Sequence, residues 1–420
     1  MKEIFEQYGG VIITVVAIAA LAALVTAIMG NGTSGPVYDA FKNLIDNFGN
    51  NIGTPEEGDD LDRQELGIRM EPDYFGPLWR YVRNDKITDI DYNGNQLWIT
   101  DVENERYLIR SHGITEKFVE QFSHRIANEV SKPFNKKNNL LEAETDTLRI
   151  SIVHESVAIS GRSICIRKSM PMLRMQVKKM VEDEYVAVPV LELLTNCVAA
   201  KMNFVFCGEP GAGKTECAKF FSQFIPAGER VITIEDNPEW HYSQINPGKD
   251  CVELRINPDF DYTKAIKTCL RQNPSWIMLS EARSTEVKSL LECWSTGIRG
   301  FTTLHTDDVR KIPDRILNMM ESRMDADRME NDVYSYVDVG ILLRKKMSAE
   351  GKLYRYIDQV CFFVREEGRN EIHMQVVDGN LMVRELPKGL IARMKRHGIF
   401  EPFDNPMIQH RLEGEGYEKE

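Results

Sequence analysis

Residues 202–226 read Met202-Asn-Phe-Val-Phe-Cys207, then Gly208-Glu-Pro-Gly-Ala-Gly213-Lys214-Thr215, then Glu216 to Phe224 and a closing Pro226. The first block is an apolar strand, the second a glycine-rich turn, the third a helix ended by proline. That order is the context a G-x-x-x-x-G-K-T motif requires. Without a Cβ the glycines let the backbone fold tightly, so successive N–H groups converge on an anion. The helix N-terminus behind them adds partial positive charge. The expected cradle is Gly208, Glu209, Pro210, Gly211, Ala212, Gly213, Lys214, Thr215 and Glu216. Its chemistry calls for ATP with Mg2+, Lys214 reaching the β- and γ-phosphates and the Thr215 hydroxyl the metal.

Working outward, two further apolar strands end in acids. Val231-Ile-Thr-Ile234 runs into Glu235-Asp236-Asn-Pro-Glu239, and Trp276-Ile-Met-Leu279 into Ser280-Glu281-Ala282-Arg283. Carboxylates at strand tips stand where ligands bind in open α/β sheets. Glu235, Asp236 and Glu281 are expected near the metal, and one of Glu235, Asp236 and Glu239 can serve as a base or orient the attacking water. A fourth strand closes on Thr302, Thr303 and His305, and His305 is expected to hydrogen-bond the γ-phosphate.

Upstream, Ile87–Tyr92, a turn at Asn93-Gly94, and Leu97–Thr100 read as a hairpin. Ile114 to Val130 has helical spacing, and Leu148–Val153 and Ser163–Arg167 read as strands. Residues 86–183 are therefore expected to form a smaller α+β domain. Arg149, Arg162 and Arg167 lie on or beside its strands, either as surface charge or reaching a phosphate across a boundary. Residues 184–365 read as the P-loop domain and 366–420 as a C-terminal extension. Val11 to Met29 is an uncharged run long enough, at roughly 28 Å, to cross a bilayer. A transmembrane helix within residues 1–30 and a linker over 31–85 with one short amphipathic helix are the corresponding expectations. ATP is cytosolic, so a single-pass anchor would leave the ATPase domain in the cytoplasm, at the cytoplasmic membrane.

The 420 residues carry 42% apolar and 28% charged side chains and a net charge of −12. That balance excludes a disordered chain and a polytopic membrane protein, and argues against gripping nucleic acid as the main task. The eight cysteines form no C-x-x-C pair, which suits free thiols in a reducing compartment.

The succession Gly208–Thr215, Val231–Trp240 (VITIEDNPEW), Trp276–Glu286 (WIMLSEARSTE) and Gly300–Asp308 (GFTTLHTDD) resembles the secretion ATPase superfamily. These are the motors of type II and type IV secretion, type IV pili and archaeal filaments. Within it the chain looks most like the tight-adherence (Flp) pilus assembly ATPases. Cys269-Leu-Arg271-Gln-Asn-Pro274 and Gly161-Arg162-Ser163-Ile-Cys-Ile-Arg167 support this. The resemblance spans about residues 86–365 and implies a RecA-like motor domain, a hexameric homo-oligomer and inner-membrane platform partners. It implies that Lys214 and Thr215 hold the nucleotide, that Glu235, Asp236 and Glu239 form an acidic box with Glu239 positioning the hydrolytic water, and that Glu281 and His305 complete the catalytic set. Arginines from the N-terminal unit and the linker are implied to close the site, with Arg149, Arg162, Arg167, Arg255 and Arg271 as candidates.

The chain departs from the family in three ways. Ser280 stands where a glycine is usual, no four-cysteine module is present, and an apolar segment leads the chain. Residues 1–50 resemble a short pilin-like or membrane subunit fused to the motor, with a plain anchor as the simpler reading. Two other activities fit the same motifs: a nucleotide-binding scaffold with little turnover, and a P-loop motor for conjugative nucleic-acid transfer. Deleting residues 1–30 is expected to move the protein from the membrane pellet to the supernatant on ultracentrifugation. A truncated chain that still pellets rules out the anchor.

Overall fold

The computed structural model describes Ile68 and residues 70–103, 105–319, 326–348 and 353–414. The expected transmembrane run Val11–Met29 and the linker helix lie outside these residues. Among the described residues no helix is long and apolar enough to cross a membrane.

The first half is built on six antiparallel strands: β1 (Ile87–Tyr92), β2 (Leu97–Asp101), β3 (Arg106–Ile109), β4 (Leu140–Glu144), β5 (Leu148–Val153) and β6 (Ser163–Lys168). Their spatial order is β3-β2-β1-β6-β5-β4. Alternation of apolar and polar residues makes one face of this sheet dry. Leu97, Ile99, Ile150, Ile152, Ile164 and Ile166 pack there against Phe122 and Ile126 of the helix Glu116–Glu129. Thr115 caps that helix by accepting from the Phe118 amide, satisfying one of its orphan donors. Two boundaries differ from the sequence reading. The helices Pro72–Phe75 and Trp79–Val82 and the turn Gly76–Leu78 between them belong to this core through Tyr74, Phe75, Leu78 and Val82, so the unit starts ahead of residue 86. Aromatic residues in a polar stretch were the signal, masked by the charges around them. The helix Val177–Glu182 instead packs Val177 and Met180 into the core of the second half, so the unit ends near Lys168 rather than 183.

The second half carries a nine-stranded sheet. Its strands are β7 (Phe204–Gly208), β8 (Val231–Glu235), β9 (Cys251–Arg255), β10 (Trp276–Leu279), β11 (Arg299–Leu304), β12 (Val339–Met347), β13 (Leu353–Glu366), β14 (Arg369–Val377) and β15 (Asn380–Leu381). The order is β15-β14-β13-β12-β7-β11-β10-β8-β9. From β12 to β9 the pairing is parallel, and from β12 to β15 antiparallel. Strands β7, β8 and β10 are buried along their whole length, as a parallel sheet covered on both faces requires. One core lies on each face. Phe204, Phe206, Trp276 and Phe301 define one, Val205, Ile232, Ile277 and Leu304 the other. The helix Lys214–Ser222 seals the first face with Phe220 and Phe221.

The strand order matters more than the strand count. Strand β11 lies between the P-loop strand β7 and strand β10, and β10 lies between β11 and β8. The four loops leaving these strands therefore emerge side by side at the C-terminal edge of the sheet. The expected C-terminal extension is not separate. Residue 366 lies in a β13–β14 hairpin, with Glu366 paired to Arg369, and β14 and β15 extend the same sheet. Leu390, Met394 and Ile408 of the last two helices join the first core.

The first of these, Lys388–Arg396, is latched by an ion pair. Arg393 Nη1 donates to Asp338 Oδ1 at 2.7 Å, while Asp338 Oδ2 accepts from the Asn203 amide at 2.7 Å. Both side chains are under one-fifth exposed. Burial holds the Asp338 carboxyl above the usual carboxylate range, against the pull of Arg393. Removing the cation leaves a buried carboxylate without its counter-charge. Arg393→Met is therefore expected to lower unfolding stability by about 3 kcal/mol, read as a fall in the chemical denaturation midpoint. An unchanged midpoint would show that the latch contributes nothing.

Candidate active site

The P-loop runs from Gly208 to Thr215 with its glycines in left-handed or related conformations: φ is +145° at Gly208, +75° at Gly211 and +90° at Gly213. A Cβ at Gly208 would lie 2.5 Å from the Leu343 carbonyl oxygen of β12, so glycine is demanded by close approach as well as by φ. Gly213 is the N-cap of the helix Lys214–Ser222 and offers no side chain to satisfy its first amides.

Lys214 is the first residue of that helix and is 9% exposed. A cation at the positive end of a helix dipole is unfavourable by itself. Its Nζ donates to the carbonyls of Gly208 at 3.1 Å and Glu209 at 3.2 Å, and lies 3.3 Å from His305 Nδ1. Burial pushes the Lys214 ammonium below its ordinary pKa, with Glu281 and Glu239 pulling the other way. An anionic group in front of the loop relieves both penalties at once. The uncapped amides, the buried ammonium and the adjacent Thr215 hydroxyl thus fit a phosphate chain with its metal.

Acids from the neighbouring strand tips face this cation. Thr215 Oγ1 donates to Glu239 Oε2 at 3.1 Å. Beyond it runs a chain of alternating charge. Asp236 Oδ2 accepts from Arg283 Nη1 at 2.8 Å, Arg283 Nη2 lies 2.9 Å from Glu281 Oε2, and Glu281 Oε1 lies 3.1 Å from His305 Nε2. Burial and the nearby Lys214 hold the His305 imidazole below its ordinary pKa, so the neutral ring stands between Lys214 and Glu281. The Thr303 hydroxyl donates to the Ser280 carbonyl at 2.7 Å, and Ser280 Oγ lies 3.4 Å from the Tyr262 hydroxyl.

Glu235 corrects the metal expectation. It is 5% exposed, does not line the cleft, and one of its oxygens accepts from the amides of Glu239 at 3.1 Å and Trp240 at 3.0 Å. Its carboxylate holds the loop that presents Glu239. A strand-terminal acid reads the same in sequence whether it turns toward a metal or back onto its own loop; only the chain path after β8 decides.

The loop opens on a cleft of about 930 Å³ lined by both halves of the molecule. Of the candidate arginines, Arg149 and Arg167 line it. Arg162, Arg255 and Arg271 do not. Arg162 is held by Glu155 at 2.7 and 3.0 Å and stacks over the Phe134 ring. Arg255 pairs with Glu144, and Arg271 is exposed beyond the helix Tyr262–Cys269. Three arginines outside the candidate set line the cleft: Arg174, Arg283 and Arg355. Arg283 sits two residues after Glu281 in the same motif and was readable there; Arg174 and Arg355 carry no motif. The two halves also meet where Ser169 Oγ lies 3.0 Å from Nε2 of His241, two residues past Glu239.

A strand, a glycine loop and a helix with acids on the adjoining parallel strands define the P-loop nucleotide-binding class. The family described as "Type II/IV secretion system protein" matches residues 135–398, well over half the chain, and the protein belongs to it. It is 29% identical over 262 residues to an uncharacterised protein of Bacillus anthracis, covering 62% of this chain and 59% of that protein. It is 25% identical over 183 residues to the type IV secretion system protein VirB11 of Brucella suis, covering 41% of this chain and 50% of VirB11. The chain thus spans about half to three fifths of these relatives. Among solved structures, the ATPase DotB of Yersinia pseudotuberculosis shares the fold, with a TM-score of 0.54 at 15% identity over 73% of this chain and 83% of DotB.

Burial pushes the Glu235 carboxyl up to about 8 from 4.5. The folded chain then binds this proton more tightly than the unfolded chain, so its stabilising effect is lost as pH rises from 4.5 to 8. Glu235→Gln keeps an oxygen for both amides and carries no charge. Its melting temperature is expected to exceed that of the parent at pH 9 and to match it at pH 5. Phosphate release should stay close to the parental rate, whereas a metal ligand at this position would abolish it.

Proposed function

We propose that the protein is an ATP-hydrolysing motor of a secretion or pilus-assembly apparatus. The observation that carries this reading is Lys214, a buried cation at the positive end of a helix, facing the carboxylates Glu239 and Glu281 across a cleft that both halves line. Membership of the type II/IV secretion family supports the choice of apparatus.

The chain's own groups divide the task. The amides of the P-loop and Lys214 would hold the β- and γ-phosphates, while Thr215, Asp236 and Glu281 would hold Mg2+. When bound, the metal would neutralise charge on the phosphates and polarise the transferred group. Glu239 leaves Thr215 and orients water. His305 would hydrogen-bond the γ-phosphate by turning the N–H it now gives Glu281 toward the nucleotide. Arg149 and Arg167 supply positive charge from the N-terminal unit, stronger when the cleft shuts and excludes water. Closing and opening around the nucleotide converts turnover into movement of one half against the other. Six copies in a ring, a tight-adherence type of pilus, inner-membrane platform proteins as partners and a membrane anchor over residues 11–29 complete the proposal.

Ser280 favours a second reading, a scaffold that binds ATP with little turnover. It is buried and its hydroxyl lies against Tyr262 at the edge of the cleft, where the family leaves space.

Phosphate release and nucleotide binding separate the two. Lys214→Ala is expected to abolish binding. Glu239→Gln and Glu281→Gln are expected to keep binding and lower phosphate release by about 10²–10³-fold. A Lys214→Ala protein that hydrolyses ATP at the parental rate overturns the motor reading. Parental protein that binds ATP without releasing phosphate selects the scaffold.

A further inference from the structure

Strands β12 and β13 approach the P-loop from outside the motifs, and their register sets two cations face to face. Lys345 is the cross-strand partner of Arg355. Like charges directly opposite on antiparallel strands repel. Both side chains instead reach consecutive carbonyls of the P-loop. Lys345 Nζ donates to the Pro210 oxygen at 3.2 Å, with Glu209 Oε2 at 3.8 Å, and Arg355 Nε donates to the Gly211 oxygen at 2.9 Å.

These contacts dictate which way the loop amides face. Across a planar trans peptide the C=O of one residue and the N–H of the next point in opposite directions. Holding the Pro210 oxygen against Lys345 turns the Gly211 N–H away from the hairpin. The following peptide is pinned at both ends: its oxygen by Arg355, and its N–H, that of Ala212, by the Glu209 oxygen at 3.1 Å. The same Glu209 oxygen accepts from Lys214 Nζ. Arg355 also covers the left-handed Gly213, where a Cβ would meet its Cδ at 3.3 Å.

The neighbouring residues of the two strands hold the loop after His305. Asp358 is the extra residue of a β-bulge between Leu342 and Leu343, and accepts from Arg344 Nε at 2.6 Å. Arg344 Nη2 donates to the Asp307 oxygen at 3.1 Å, and Gln359 accepts from the Val309 amide at 3.1 Å. One hairpin thus grips both loops whose residues Lys214 and His305 touch.

Resting on the nucleotide-binding reading above, we propose that Lys345 and Arg355 are positioning residues that clamp the Pro210 and Gly211 carbonyls and so preset the P-loop backbone for the triphosphate. Free of the clamp, the Pro210 and Gly211 peptides can turn, and the loop must be reordered whenever nucleotide binds. That cost falls on affinity.

The test measures binding of a fluorescent ribose-labelled ATP and steady-state phosphate release on the full chain. Arg355→Gln and Lys345→Gln are each expected to raise Kd and KM about tenfold, the size of one charge-assisted hydrogen bond. Values of kcat should change less than about threefold. The double variant should lose less than the product of the single losses, because both residues hold adjacent peptides of one loop. Arg355→Lys should recover part of the affinity, and Lys346→Gln, next along the same strand, should bind like the parent. Thermal melting checks that each variant is folded, and a variant that does not fold is replaced in the comparison by Arg355→Lys. Clamp variants that bind within twofold of the parent, while Lys214→Ala does not bind, overturn the clamp alone. A parent that binds no nucleotide overturns the nucleotide reading and the clamp with it.

Discussion

A lysine ammonium buried at the positive end of a helix is the constraint around which the site is arranged. Lys214 gains nothing from the helix dipole and little from water. Its three donors find the Gly208 and Glu209 oxygens and approach His305 instead. That requires glycines with positive φ to turn carbonyls inward beneath it. It also requires an imidazole on an adjoining strand and acids within reach, and each demand is met by a different strand of the sheet.

Parallel pairing is what delivers those strands. Antiparallel neighbours would send successive loops to opposite edges. Here β7, β11, β10 and β8 point the same way, and the P-loop, His305, Glu281 and Glu239 share one edge. The antiparallel part, β12 to β15, serves a different purpose. It doubles back so that a β12–β13 hairpin lies along the P-loop and braces it from the flank opposite β11. The N-terminal sheet closes the cleft with Arg149 and Arg167, and Ser169 touches His241 next to the Glu239 loop. That contact ties the N-terminal unit to the segment that follows Glu239.

Much of the site was legible because its residues sit at strand ends within short, strongly patterned blocks. The edges of β1, β5 and β10 agree with the apolar runs that announce them. The weak strands β3, β4 and β9 were missed. Arg106–Ile109 is largely exposed, and Cys251–Arg255 is a half-buried edge strand, so neither carries a hydrophobic pattern. The same lack of pattern hid the aromatic helices ahead of β1 and blurred both limits of the N-terminal unit.

The sequence by itself determined the phosphate loop, the acids and the histidine, since each needs only a local run of apolar residues and a polar tip. The tertiary structure alone decided which charges face the cleft. Glu235 turns back to two amides, Arg162 is spent on Glu155, and Arg355 arrives from 144 residues away to hold Gly211. A charged side chain is long, and its partner is chosen by strand register and chain path. Residue type and spacing record that a charge is present but not the direction in which it points.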